Sequence, residues 1–160
     1  MKALQDFEFH SEVPDEVIAK YENLSDRLEY GNISNEEAAS ICNAIIDESD
    51  SENDSRMLEA MFHAVVTGVV KRNVGDKIQT GIIAKNLDKY NEEISDYIIT
   101  ILAFSGKEEC ADLIKRIGIR YNNLDIEDAL AELSSRTAKS KARQDGAAGE
   151  KHETESIAGL

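Results

Sequence analysis

The spacing of the apolar residues is the feature that most constrains the fold of this chain. Apolar side chains recur at steps of three and four residues over most of the chain up to Leu133, whereas alternation is confined to "DFEFH" at residues 6–10. Steps of three and four are typical of helices with one buried face, and half-buried strands need alternation. The sequence therefore predicts an all-α fold with about seven helices.

Capping residues indicate where several of these helices begin. Pro14, followed by two acidic residues, predicts a first helix from about residue 14 to residue 30. Ser34 and Glu37 form a capping box for the second helix. Asn91 and Asp125 are the expected caps of the fifth and seventh helices.

The later helices read as three consecutive hairpins. Their first members begin near residues 34, 76 and 107, so the step is about 30 to 45 residues. A step of this size is typical of an α-solenoid of the HEAT type, in which antiparallel helix pairs stack on one another. A compact helical bundle is the alternative. Residues 1–136 are predicted to form a single helical domain, and residues 137–160, which have almost no large apolar side chains, a disordered low-complexity tail.

The charge is strongly negative and unevenly distributed. The chain has a formal net charge of −14, of which residues 1–61 carry −12, from 16 acidic and 4 basic residues. Nucleic-acid binding depends on clustered Lys and Arg, so this charge argues against nucleic acid and favours a basic partner. No apolar run is long enough to span a membrane and no signal peptide is recognisable, so we expect a cytoplasmic protein.

The sequence contains no recognisable catalytic or metal-binding motif. The most acidic stretch fits a calcium loop only in part, because Glu48 stands at position one and Asn53 at position six, where Asp and Gly are usual. Cys42 and Cys110 lie far apart and are expected to be buried thiols, and His63 to be a residue at the edge of the core. We therefore expect no enzyme activity, no cofactor and no metal.

Two segments resemble the all-helical immunity proteins of bacterial polymorphic toxin and contact-dependent growth inhibition systems, namely immunity family thirty. They are "RMLEAMFHAVVTGV" and "EISDYIITILAFSGKEECADLIKRI", within a similar span from about Ile33 to Leu133. The resemblance implies a protein that binds and neutralises a cognate toxin domain in a 1:1 complex. Many such toxins are nucleases with basic substrate grooves, which an acidic surface complements. A HEAT-like scaffold or adaptor without a toxin is the alternative, and a regulatory subunit is a third.

The predicted binding surface centres on "DESDSEND", residues 47–54, in which five of eight residues are acidic. We expect this stretch to be a loop whose carboxylates are not required by the core. Eight acidic residues make up the candidate partner-binding site: Glu36, Glu37, Asp47, Glu48, Asp50, Glu52, Asp54 and Glu59.

Overall fold

The computed structural model describes the backbone of residues 2–158 and the side chains of residues 15–143. Within that part of the chain all regular structure is helical, and no strand is present. The all-α prediction and its seven helices are confirmed. The α-helices are α1 (Lys2–Tyr30), α2 (Asn35–Ser49), α3 (Ser55–Arg72), α4 (Thr80–Lys85), α5 (Glu92–Phe104), α6 (Cys110–Arg120) and α7 (Ile126–Ala158).

The predicted capping residues hold the starts of three helices. Ser34 Oγ accepts a hydrogen bond from the Glu37 amide at 3.1 Å, and Asn91 Oδ1 accepts one from the Ile94 amide at 2.9 Å. Asp125 Oδ1 accepts from the Asp128 amide at 3.2 Å. These contacts satisfy amides that have no partner within the helix, which is why such residues mark helix starts.

Three helix boundaries differ from the sequence prediction. The first helix begins at Lys2 rather than near residue 14, so Pro14 lies inside it. An internal proline removes one backbone hydrogen bond. The segment before it nevertheless contains Lys, Ala, Leu, Gln and Glu, which have high helix propensity and favour a helix there. The fourth helix is only six residues long, because 3₁₀ turns at Gly75–Lys77 and Leu87–Lys89 take up its expected flanks.

The third difference concerns the segment that was predicted to be a disordered tail. Helix α7 does not end at residue 136 but continues to Ala158, since Ala, Lys, Arg, Gln and Glu in this segment all favour helix. The part of α7 that follows residue 136 begins in contact with the rest of the chain, because Thr137 Oγ1 donates a hydrogen bond to the Gly106 carbonyl at 3.0 Å. Residues 137–158 are thus helical. The prediction that this segment lies outside the folded domain is untested and stays a prediction.

The helices form two layers. Helices α1, α3, α5 and α7 pack side by side in that order, α2 packs on α3 and touches α4, and α6 packs on α5 and α7. Helices α3 and α5 are therefore the centre of the fold. Stacking of the HEAT type stays a prediction beside the compact bundle.

The core is continuous across both layers and consists mainly of isoleucine, leucine and valine. Phe62 on α3 is fully buried, and its ring meets the buried Tyr90 ring edge to face at a centroid distance of 5.2 Å. Cys42 and Cys110 are buried free thiols, as expected. None of the helices described is both long enough and apolar enough to cross a lipid bilayer.

Arg72 holds the turn between α1 and α2 against the end of α3. Its guanidinium donates to the carbonyls of Leu28 at 2.6 Å, Ile33 at 3.3 Å and Arg27 at 3.4 Å, and also to that of Gly31. The last carbonyls of a helix have no partner within the helix, so a cation there satisfies them and opposes the helix dipole.

Candidate partner-binding surface

The acidic stretch at residues 47–54 was expected to be a loop, but residues 47–49 belong to α2 and residues 50–54 form the connection to α3. Its carboxylates bind this acidic loop into the fold. Asp50 accepts hydrogen bonds from Lys85 Nζ at 3.0 Å and Asn86 Nδ2 at 2.9 Å. The bond from Asn86, and then that from Lys85, lowers the pKa of the Asp50 carboxyl. Glu48 accepts a hydrogen bond from the Tyr21 hydroxyl on α1, and burial followed by this bond raises the pKa of Tyr21.

Two further acids of the loop bond to nearby backbone. Asp54 caps α3 by accepting from the Arg56 amide at 2.9 Å and the Met57 amide at 3.4 Å, and Glu52 Oε1 accepts from the Asp54 amide at 3.0 Å. Four of the carboxylates thus make hydrogen bonds within the fold, while the expectation that the core does not require them stays a prediction. Ser, Asn and Asp form such local bonds readily, and a distant segment supplies the remaining partners.

The side chain of Lys89 binds the main chain at the end of α2 and in the acidic loop. Its ammonium group donates to the carbonyls of Ser49 at 2.8 Å, Asp50 at 3.1 Å and Glu52 at 2.7 Å. Burial lowers the pKa of Lys89, and the charges of Asp50 and Glu52 oppose that shift. The amine thus neutralises the carboxyl end of α2, where the helix dipole is negative.

Replacing Lys89 with methionine should lower the free energy of unfolding by about 2 kcal/mol, because carbonyl groups at the end of α2 lose a charged donor. Urea denaturation of the variant and the wild type measures this difference. Lys85→Met is the matched control, since Lys85 contacts only the side chain of Asp50 at an exposed site. A loss as large in the control as in Lys89→Met would contradict the assigned role.

The other predicted residues are divided between the two ends of α2. Asp47 is exposed in the last turns of α2, and Glu36 and Glu37 are exposed in its first turn. Eleven residues of helix separate Glu36 from Asp47, which corresponds to roughly 16 Å. The structure therefore does not bring Glu36 and Glu37 next to the loop.

Glu59 lies in a different environment from the loop acids. It extends from α3 to the carboxyl group of Glu93 on α5, within hydrogen-bonding reach. Partial burial, and next the neighbouring Glu93, raise the pKa of the Glu59 carboxyl, while nearby His63 opposes the shift. Two carboxylates in contact repel each other when both are ionised, so this pair lowers the stability of the folded protein.

Tyr97 lies beside this carboxylate pair. Its half-buried ring meets the exposed His63 ring edge to face at a centroid distance of 5.7 Å. Burial raises the pKa of the Tyr97 hydroxyl, followed by the charges of Glu93, Glu59 and Asp96. The charges of these three carboxylates thus act on one hydroxyl group, and among the described side chains none of the three is in an ion pair.

The acidic surface continues from α5 to the start of α7. Glu92, Glu93 and Asp96 line a shallow hollow together with Asp125, the cap of α7. We use the name acidic edge for this set of residues, which lie at or near the starts of α3, α5 and α7: Glu59, Glu92, Glu93, Asp96 and Asp125.

Nothing in the described side chains, residues 15–143, gathers three His, Cys, Asp or Glu residues into a metal-binding group. In the calcium pattern Glu59 would be the final ligand, but it faces Glu93. The carboxylates of Asp50 and Asp54 are engaged by Asn86 and by the first amides of α3. The arrangement of acids is better suited to binding a cationic side chain than to enclosing an ion.

Sequence reasoning included Glu59 and missed the rest of the acidic edge. Glu92 and Glu93 stand in the first turn of α5, where attraction to the helix dipole is a sufficient local explanation. The available signal was the regular order of the hairpins. If alternate helices run parallel, the starts of α3, α5 and α7, with the acids near them, lie at the same end of the layer.

No protein-family model, no curated protein and no solved structure matches this chain. The resemblance to immunity proteins therefore rests on the two quoted sequence segments.

Proposed function

We propose that this protein binds a basic protein domain through the acidic edge, and that the partner is a cognate bacterial toxin domain. The observation that carries the proposal is the approach of Glu59 to Glu93, beside a hollow that Glu92, Asp96 and Asp125 also line. Attraction to the helix dipole accounts for Glu93, but it does not account for the approach of Glu59, because the two like charges repel each other. This approach supports a site whose missing component is a cation from a partner.

The chemistry of the group favours an arginine or lysine side chain. A cation placed between Glu59 and Glu93 would replace their repulsion by two charge-assisted hydrogen bonds. The face of the Tyr97 ring would add a cation–π contact, which is strongest where water is excluded. Arginine suits this place best, since its planar guanidinium can bind a carboxylate through two bonds and stack on a ring.

The wider charge distribution supports a basic partner of the nuclease type. A net charge of −14 attracts a basic domain over long distances and speeds their encounter. A nuclease needs a basic groove for phosphates, so an acidic surface that covers the groove also blocks the substrate. In this proposal the protein is a non-enzymatic cytoplasmic inhibitor that needs no cofactor and binds its toxin in a 1:1 complex.

Growth rescue tests this function. A candidate toxin domain, sought in the reading frames next to this gene, is induced in a test strain, alone and with this protein. We expect the toxin alone to stop growth, the wild-type protein to restore it, and the variant Glu59→Gln/Glu93→Gln to restore it poorly. Glu36→Gln/Glu37→Gln is the matched control, because it removes the same charge from the far end of α2.

The arms of this experiment separate the two parts of the proposal. Failure of the wild-type protein to restore growth would contradict the immunity function and favour a scaffold or adaptor. Full rescue by Glu59→Gln/Glu93→Gln would keep the immunity function and contradict the assignment of the site.

A further inference from the structure

A second polar cavity lies at the opposite end of the molecule from the acidic edge. It has a volume of about 310 Å³ and lies between the end of α3, the turn after α5 and one face of α7. Asn73, Phe104, Gly106, Arg136, Lys139 and Arg143 are among its lining residues. Three cations and one carboxylate, that of Asp76, line the cavity, so its charge is opposite in sign to that of the chain as a whole.

Arg136 is fixed in position at this cavity. Its guanidinium carbon lies 3.8 Å from the centroid of the Phe104 ring, and Nη1 donates to Asn73 Oδ1 at 2.8 Å. Nε is buried and has no hydrogen-bond acceptor among the described residues. Glu132 Oε1 lies 3.7 Å from Nε, which is within ion-pair range and too long for a hydrogen bond. A guanidinium has five N–H donors, so a fixed Arg136 keeps donors for a further acceptor.

Lys139 and Arg143 lie on the same face of α7 as Arg136. Residues three and seven positions apart share a helix face, and the seven helical steps from Arg136 to Arg143 span roughly 10 Å. Asp76 does not neutralise this row, because no ion pair joins it to Lys139 or Arg143 in the described part of the chain. Like charges this close repel, and a bound anion would remove the repulsion.

The main chain contributes to the shape of the cavity. Gly106 has a φ of +67°, a conformation that favours glycine, and its carbonyl accepts a hydrogen bond from Thr137 Oγ1 at 3.0 Å. This contact fixes α7 against the turn after α5 at the residue next to Arg136. The cavity walls are therefore held by packing and hydrogen bonds, as is usual for binding sites that exist before the ligand arrives.

We propose that this cavity binds a small ligand that carries two or more linked phosphate groups. Three cations along 10 Å of helix exceed what one monoanion needs, and a fixed guanidinium is well suited to phosphate oxygens. The cavity volume lies at the lower end of the range for small-molecule sites, which fits a compact polyanion. This site is separate from the acidic edge, and its occupancy does not depend on the function proposed above.

Isothermal titration of the full chain with inorganic pyrophosphate tests the proposal at constant ionic strength. We expect saturable binding to one site, and an affinity about tenfold lower for Lys139→Gln/Arg143→Gln, which removes two charged contacts. Both side chains are exposed, so the variant should fold normally. Lys115→Gln/Arg116→Gln is the matched control, because it removes two exposed positive charges from α6 and should bind as the wild type does.

Three results would overturn the proposal. They are the absence of saturable binding by the wild type, an equal loss of affinity in both double variants, and binding of citrate as tight as that of pyrophosphate. The second would show that only net charge matters. The third would show that the cavity accepts carboxylates equally and does not recognise phosphate.

Discussion

The variant Glu59→Gln/Glu93→Gln should bind the toxin domain roughly a hundredfold more weakly than the wild type, a loss of about 3 kcal/mol. The reason is that both carboxylates lose their charge, and the cation of the partner would be buried between neutral amides. Most of the loss should appear in the dissociation rate, because the two groups are desolvated in the complex. Surface plasmon resonance of the variant and of the control Glu36→Gln/Glu37→Gln measures both rates.

The same substitution should make the free protein slightly more stable at neutral pH. Burial and Glu93 raise the pKa of Glu59, so the folded state holds this proton more tightly than the unfolded state does. The stability contributed by this proton is therefore lost as the pH rises from the ordinary pKa of glutamic acid through the raised value.

The free energy of unfolding of this variant should exceed that of the wild type by about 0.3 kcal/mol, as for other like-charge pairs on helices. This difference should disappear below the ordinary pKa of glutamic acid, where Glu59 is protonated in both the folded and the unfolded state. Thermal melts at acidic and neutral pH measure it. Weaker binding together with higher stability is the combination expected of a functional site, and a variant that loses both would indicate a structural role for the pair.

Replacing Arg72 with methionine should lower the free energy of unfolding by about 3 kcal/mol. Methionine keeps much of the apolar stem but has no donor, so the carbonyls at the end of α1 and in the following turn lose the guanidinium. Helix α1 packs on α3 beside this contact, so its last turn should loosen first. Urea denaturation followed by circular dichroism gives the loss, and hydrogen exchange locates it.

Two further variants test whether the loss in Arg72→Met comes from the guanidinium contacts. Arg56→Met is the control for removing a positive charge from α3, because the Arg56 side chain is largely exposed and should have little effect. Arg72→Lys should lose part of the stability, since one ammonium group cannot reproduce the planar set of donors. If Arg72→Met unfolded at the same urea concentration as the wild type, the carbonyl contacts would contribute nothing to stability.

Local signals in the sequence predicted the helices well. Ser34, Asn91 and Asp125 each bond to an amide two or three residues after the first helical residue, so short-range hydrogen bonding is sufficient to mark these starts. Where one local signal led to a wrong helix boundary, the helix propensity of the neighbouring residues determined the boundary instead. Pro14 is compatible with the inside of a helix as well as its start, and the charged residues of α7 favour helix even without an apolar stripe.

Contacts between distant segments could not be predicted in the same way. The acids of the loop at residues 47–54 look unpaired in the sequence, because their partners Tyr21, Lys85 and Lys89 come from α1, α4 and the turn after α4. The approach of Glu59 to Glu93 likewise depends on how α3 packs against α5. Charge counts along the chain indicated that a surface is acidic, but not which acids are left without a partner.

Carboxyl footprinting of the complex tests the central claim most directly. The protein is labelled with a water-soluble carbodiimide and an amine, alone and with an excess of the toxin domain, and modification is measured at each acidic residue. We expect the toxin to protect Glu59, Glu93 and Asp96, and to leave Glu36 and Glu37 labelled as in the free protein. Unchanged labelling of Glu59 and Glu93, with protection at other acids, would contradict the assignment of the acidic edge as the binding surface.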